Sequence, residues 1–304
     1  MKNFLKSLVE KNKITSELGN VANYIPGLEK SNKNALGLCI MNTNGTIYSV
    51  GDSNIKFTIQ SVSKPITLML AILDHGEEHV FSKVGMEPTG DAFNSIQKLE
   101  TCKNHKPFNP MINAGAIATS AMIKGKNSQE KFQRLLDFFR QIAENDRLEV
   151  NDDIYLGENL TGNKNKAMAY FMKGEGYIDG SIEDALYVYF RQCSIEVTAK
   201  DLARIGLFLA RGGVLSNGER VVSERIAKIA KTLMLTCGMY DGSGEFALRV
   251  GIPSKSGVGG GIMSVVPGKM GIGVFSPALD EKGNPIAGEA LLEDLSSELS
   301  LSLF

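Results

Sequence analysis

Apolar positions in the first stretch of the chain recur with a helical period. Phe4, Leu5, Leu8 and Val9 interleave with Lys2, Lys6, Glu10 and Lys11, so the chain opens on an amphipathic helix. Two apolar runs follow, Leu36 to Met41 and Thr46 to Val50, bracketing Asn42-Thr43-Asn44-Gly45. That turn chemistry predicts a β-hairpin, which a third short run, Lys56 to Ile59, would extend. From Ser61 to about Leu235 the periodicity is helical, in Ile66 to Leu73, Ile112 to Ile123, Phe132 to Ile142, Ala167 to Met172, Ala185 to Phe190 and Ala199 to Leu209. Strand signals return in Phe246 to Gly251, Gly261 to Val266 and Met270 to Phe275, before a final amphipathic helix from about Ala287 to Leu301.

Strands at both ends and helices between them predict an α+β architecture. Sequential pairing favours a central antiparallel sheet built from the first and last segments and flanked by the terminal helices, with the middle inserted as an all-helical lobe. Residues 1–70 and 225–304 are then the sheet lobe and 71–224 the helical lobe, and a site is expected in the cleft between them.

Composition narrows the functional classes. Balanced charge, a net of -1, and lysines scattered without interleaved aromatics leave no electrostatic footprint for nucleic acid. The longest dense apolar stretch, Ile66 to Leu73, is less than half of the roughly 20 residues a membrane span requires. With no unbroken apolar leader, a cytoplasmic location is expected. Cys39, Cys102, Cys193 and Cys237 lie too far apart for a disulfide framework or a zinc knuckle. His75-Gly76-Glu77-Glu78-His79 fits a zinc-peptidase pattern, but Gly76 is expected to end the helix that would have to hold both imidazoles on one face, so no metal is assigned.

Ser61-Val62-Ser63-Lys64 is an S-x-x-K pattern, which on the first turn of a helix places an amine near a hydroxyl. The pattern also occurs at Ser53 with Lys56, Ser95 with Lys98 and Ser128 with Lys131, but only Ser61 stands where a strand signal meets a strongly apolar helix. A serine there is either an N-cap or a nucleophile. Far along the chain, Lys255-Ser256-Gly257 stands between two late strands and runs into Val258-Gly259-Gly260-Gly261, a backbone that a substrate can approach closely.

An early S-x-x-K and a late K-S-G around a helical insertion resemble the serine β-lactamase and penicillin-binding superfamily. That superfamily's Ser-x-Asn or Tyr-x-Asn motif occurs nowhere here, which disfavours a lactamase. Over nearly the whole chain the sequence instead resembles the serine-dependent glutaminases, which have a β-lactamase/transpeptidase-like fold. The resembling blocks are Asn23-Tyr24-Ile25-Pro26, Gln60 to Pro65, Phe108 to Ala116, Glu158 to Asn165, Tyr189 to Thr198, Cys237 to Asp241 and Lys255 to Val258.

The resemblance implies a cofactor-independent amidohydrolase converting L-glutamine to L-glutamate and ammonia through an acyl-serine, with Ser61 as nucleophile. Lys64 and Tyr240 would relay the proton, with Tyr189 beside them. The backbone N–H groups of Ser61 and Val258 would form the oxyanion hole. Glu158 would face the substrate ammonium, and Tyr24, Gln60, Asn113 and Asn165 would complete the amino-acid pocket with Tyr189, Tyr240 and Val258. Lys64 would need its pKa lowered from about 10.4 to act as a base at neutral pH. A homo-oligomer, tetramer or dimer, is the expected assembly by resemblance. A catalytically silent amino-acid-binding protein of the same fold is the alternative from another class.

Overall fold

The computed structural model describes residues 1–304. Its centre is a five-stranded sheet of β1 (Gly37–Asn42), β2 (Ile47–Gly51), β3 (Ser254–Ser256), β4 (Gly261–Val266) and β5 (Met270–Phe275), in the order β2-β1-β5-β4-β3. Every neighbouring pair is antiparallel. The hairpin forms as its turn predicts, with Leu38 opposite Val50 and Ile40 opposite Tyr48. On its other side β1 pairs with β5, bringing Leu38 against Val274 and Ile40 against Ile272.

The helices longer than two turns are α1 (Lys2–Lys13), α2 (Lys64–His75), α3 (Asn113–Ala121), α4 (Ser128–Ala143), α5 (Asp152–Thr161), α6 (Asn163–Gly174), α7 (Ile182–Cys193), α8 (Ala199–Ala210), α9 (Glu224–Cys237) and α10 (Ile286–Leu299). Alternation along the strands splits the core in two. Leu38, Ile40, Ile262, Ile272 and Val274 face the terminal helices α1 and α10, meeting Leu5, Leu8, Leu291 and Leu295. Cys39, Met41, Met263, Val265 and Phe275 face α8 and, through it, α2, α4 and α9.

Helix α8 lies so close to the sheet that side chains are excluded beneath it. A Cβ on Gly273 would come 2.0 Å from the Ala199 carbonyl oxygen, and one on Gly271 would come 2.0 Å from the Leu207 nitrogen. The helix itself starts on a capping box in which Thr198 and Asp201 satisfy each other's backbone.

Three expectations from the sequence are corrected. Phe246 to Gly251 is not a strand but most of a short helix, Ser243–Arg249, because Phe246 and Val250 are spaced one helical turn apart and are both buried. The run Lys56 to Ile59 does not extend the hairpin; Phe57–Thr58 pairs with Glu196–Val197 in a separate two-stranded ladder. Lys255 and Ser256 are not in a connection between strands but within β3, the edge strand itself. At the His75-Gly76 junction, Gly76 adopts φ +83° and ends α2.

Candidate active site

A pocket of about 190 Å³ opens where the helical region meets the sheet, smaller than the roughly 300–1,000 Å³ of sites for drug-sized ligands. Residues from widely separated segments line it, including Tyr24, Gln60, Ser61, Asn113, Glu158, Asn165, Tyr189 and Val258. Two of the expected residues stand outside it. Lys64 lies beneath the floor with no exposed surface, and Tyr240 lines an adjoining cavity that shares Phe93 with the pocket.

Ser61 sits in a single 3-10 turn, Gln60–Ser63, that runs directly into α2, and not on the first α-helical turn itself. Neither the turn nor α2 receives a side-chain cap, so the N-cap role is not the one its hydroxyl fills. The residue before it, Gln60, is held at φ +50°, a left-handed backbone uncommon for a side chain of this size. Pro65 follows within the first turn of α2, where a missing N–H costs nothing.

The backbone of residues 257 and 258 comes up to Ser61 from the opposite end of the chain. A Cβ on Gly257 would be 2.8 Å from the Ile59 carbonyl oxygen and 3.2 Å from the Ser61 nitrogen, so only glycine permits this approach. Neither the Ser61 nor the Val258 N–H is used in the turn and loop hydrogen bonds of the fold.

Lys64 is wholly buried, and its Nζ donates to the Met111 carbonyl at 3.1 Å and to Asn113 Oδ1 at 2.8 Å. Burial lowers its pKa to about 8, against a smaller opposing pull from Glu158 and Cys193. Two acceptors match the two N–H bonds of a neutral amine and leave its lone pair uncommitted, the form a base needs. Asn113 passes the chain on, its Nδ2 donating to Asn165 Oδ1 at 3.0 Å.

Glu158, in the last turn of α5, is buried, and desolvation raises its pKa to about 7; Gln60 and Lys64 beside it act in the other direction. Tyr189, on α7, is buried and its phenol is pushed well above its ordinary value, chiefly by burial. Tyr24 is half exposed at the pocket mouth.

Tyr240 departs from expectation in its partner. It has a left-handed backbone, φ +53°, in a 3-10 turn after α9, and its ring packs at a tilt of 35° against Phe93, with centroids 4.5 Å apart. Its buried hydroxyl has no hydrogen-bond partner, although Ser61, Ser256 and the Val258 N–H stand near enough to oppose the upward shift that burial gives it. The lysine on its ring is not Lys64 but Lys255, whose Nζ is 4.3 Å from the ring centroid. Lys255 is fully buried, donates to the carbonyls of Gly238 at 2.8 Å and Ser256 at 2.7 Å, and has its pKa driven far down by burial and, second, by Lys64. The K-S-G triplet thus contributes a buried lysine side chain as well as a backbone, and the lysine at its first position is the signal in the sequence that points to it.

A family profile described as Glutaminase matches residues 19–304. The chain belongs to the glutaminase family. It is 66% identical over 304 residues to a glutaminase of Fusobacterium nucleatum subsp. nucleatum, covering 100% of both chains, and 58% identical over 305 residues to glutaminase 2 of Clostridium perfringens, again covering 100% of both. Among solved structures, a probable glutaminase of Bacillus subtilis superposes with a TM-score of 0.94 at 39% identity, over 100% of this chain and 97% of that one. Another resembling structure is a Bacillus subtilis glutaminase in covalent complex with 5-oxo-L-norleucine, formed by reaction with 6-diazo-5-oxo-L-norleucine; it has a TM-score of 0.92 at 38% identity and covers 100% and 99%. The sheet with its inserted helices is thus the serine β-lactamase-like fold of the glutaminases.

Proposed function

We propose that this glutaminase hydrolyses L-glutamine to L-glutamate and ammonia through an acyl-Ser61 intermediate. The observation that carries the reading is the meeting of Ser61, the free Val258 N–H and the buried carboxyl of Glu158 around one small pocket. Glu158 receives the substrate's α-ammonium, while Tyr24, Gln60, Asn113, Asn165 and Tyr189 surround the other polar groups of the amino acid. Both ends held, the side-chain amide reaches the serine.

Ser61 Oγ loses its proton as it attacks the amide carbon, and the new oxyanion accepts from the Ser61 and Val258 N–H groups. Lys64 takes that proton as the neutral amine, with Tyr240 relaying it to the departing nitrogen. Ammonia leaves with the proton, and water then cleaves the acyl-serine to release glutamate. Lys255, against the Tyr240 ring, would offset negative charge developing on the phenol when the lysine holds its proton.

No helix of the molecule is long and apolar enough to cross a membrane. We read the chain as a cytoplasmic homo-oligomer, dimer or tetramer, with lobes 1–70 plus 225–304 and 71–224 closing on the pocket. Purified protein is expected to release ammonia from glutamine and Ser61→Ala to release none above background. Equal turnover by the two would reject the nucleophile.

A further inference from the structure

Helices α5 and α6 meet at a single residue, Gly162, which sets Glu158 in the last turn of one and Lys164 in the first turn of the other. The junction is tightly packed: a Cβ on Gly162 would come 2.6 Å from the Glu158 carbonyl oxygen and 2.5 Å from the Phe190 ring. Both residues line the pocket, where Glu158 is the only carboxylate and Lys164 the only cation. Lys164 has no carboxylate for a partner. The one hydrogen bond of its Nζ goes to Asn94 Oδ1, a neutral acceptor that also lines the pocket, at 3.4 Å. Its position is unfavourable besides, because a positive charge in the first turn of a helix meets the positive end of the dipole, and α6 has no acidic residue there.

The direction of the neighbouring amides follows from Lys64. Its amine donates to Asn113 Oδ1, so Asn113 Nδ2 is the donor to Asn165, whose Oδ1 is thereby the acceptor. Asn165 Nδ2 is left without a partner and is available as a donor in the pocket. Lys164, the residue before it, adds an ammonium that can donate but not accept. The first turn of α6 thus brings donors and a positive charge to the pocket, against the carboxylate that α5 brings at Glu158. An α-amino acid presents the complementary pair, an ammonium and a carboxylate on one carbon.

We propose that Lys164 is the counter-ion of the substrate's α-carboxylate and makes the enzyme selective for amides whose α-carboxyl group is free. Neutral donors alone would solvate that carboxylate but leave a pocket of net negative charge, since Glu158 must be ionised to hold the ammonium. With Lys164 the lining is neutral overall and matches the zwitterion it takes. A glutamine whose α-carboxyl is blocked, as an amide or within a peptide, brings no charge for Lys164 to meet. The inference deepens the acyl-Ser61 reading and rests on it.

The test is steady-state kinetics of the full-length protein at neutral pH and low ionic strength, with L-glutamine and with L-glutaminamide, whose α-carboxylate is replaced by a neutral amide. Cleavage of the second is followed as L-isoglutamine. Lys164→Met is expected to raise KM for glutamine at least about threefold, between the worth of an exposed ion pair and that of a charged hydrogen bond, with kcat within about twofold. Charge reversal in Lys164→Glu is expected to raise KM further, and Lys164→Arg to keep it below that of Lys164→Met. With glutaminamide, Lys164→Met is expected to change kcat/KM by less than about twofold, because there is no carboxylate contact to lose. If that amide is turned over too slowly to time, the order Arg, Met, Glu with glutamine decides. A glutamine KM raised less than about threefold, an arginine variant no better than the methionine one, a loss confined to kcat, or equal losses on both substrates would each overturn the assignment. Wild-type protein that released no ammonia from glutamine, or a Ser61→Ala variant that still did, would instead reject the parent reading.

Discussion

Lys255 Nζ lies 4.3 Å from the centre of the Tyr240 ring, with two backbone carbonyls and no carboxylate among its hydrogen-bond partners. A phenolate at Tyr240 would be the counter-ion for this lysine, whose pKa burial drives far down. Burial is the chief cause that raises the Tyr240 pKa, and positive charge on the lysine at its ring face would oppose that rise. Replacing Lys255 by Met is therefore expected to move the kinetic pKa assigned to Tyr240 upward and to lower kcat at neutral pH. The measurement is kcat against pH; a profile that keeps its shape and merely scales down would count against this role.

Lys64 carries a cost to stability. Its folded pKa of about 8 lies below the unfolded value of 10.5, so the unfolded chain binds more protons between those values and stability rises with pH across that window. Below pH 8 the whole penalty is present, about 3 kcal/mol. Lys64→Met is expected to unfold at a higher temperature than wild type at pH 7 while losing ammonia release. Destabilisation of the variant at that pH would show that the Asn113 and Met111 contacts outweigh desolvation.

Glu158 must be ionised to attract an ammonium group, and its pKa is raised to about 7. Acidification from pH 8 to pH 6 is therefore expected to raise KM for glutamine more than it lowers kcat, and Glu158→Gln should remove that pH dependence while raising KM throughout. A KM flat across this range in wild type would contradict the assigned role.

Asparagine is shorter than glutamine by one methylene, which a pocket discriminates by about 1–3 kcal/mol. A loss of kcat/KM of roughly 10- to 200-fold with asparagine is expected in parallel assays. Equal values would mean that the α-ammonium is not held by Glu158 at a fixed distance from Ser61.

The α8 seam makes a prediction about folding alone. Gly273→Ala places a methyl 2.0 Å from the Ala199 carbonyl oxygen, so the helix must lift from β5. Destabilisation of about 1–3 kcal/mol is expected in urea unfolding, by analogy with other overpacked cores. An unchanged midpoint would show that α8 can shift freely.

Much of this was legible in the sequence because period and turn chemistry act locally. The Asn42 to Gly45 turn between the apolar runs Leu36 to Met41 and Thr46 to Val50 specifies the hairpin, whereas the pressing of α8 on the two glycines of β5 shows only in the fold. Helix α5 was harder to read, because Leu156 and Leu160 are exposed and blur its apolar face. Asn151 followed by Asp152 and Asp153 marks its start, and the Asn151 side chain does accept from the Ile154 N–H at 3.0 Å. Phe246 to Val250 misled because a short apolar run reads equally as strand or helix until burial decides. Seven ordered blocks of resemblance singled out residues most of which line one pocket, yet the pairing of Tyr240 with Lys255 is a contact between distant segments, which no local pattern encodes.

The proposed donor pair, Ser61 and Val258, joins residues almost two hundred positions apart, and the first hairpin closes its sheet only by pairing with the last strand, β5. Such distant pairings are slow to form. A polypeptide still emerging from the ribosome therefore has no working centre until nearly all of it has been made, and nascent fragments released early should leave the cell's glutamine untouched.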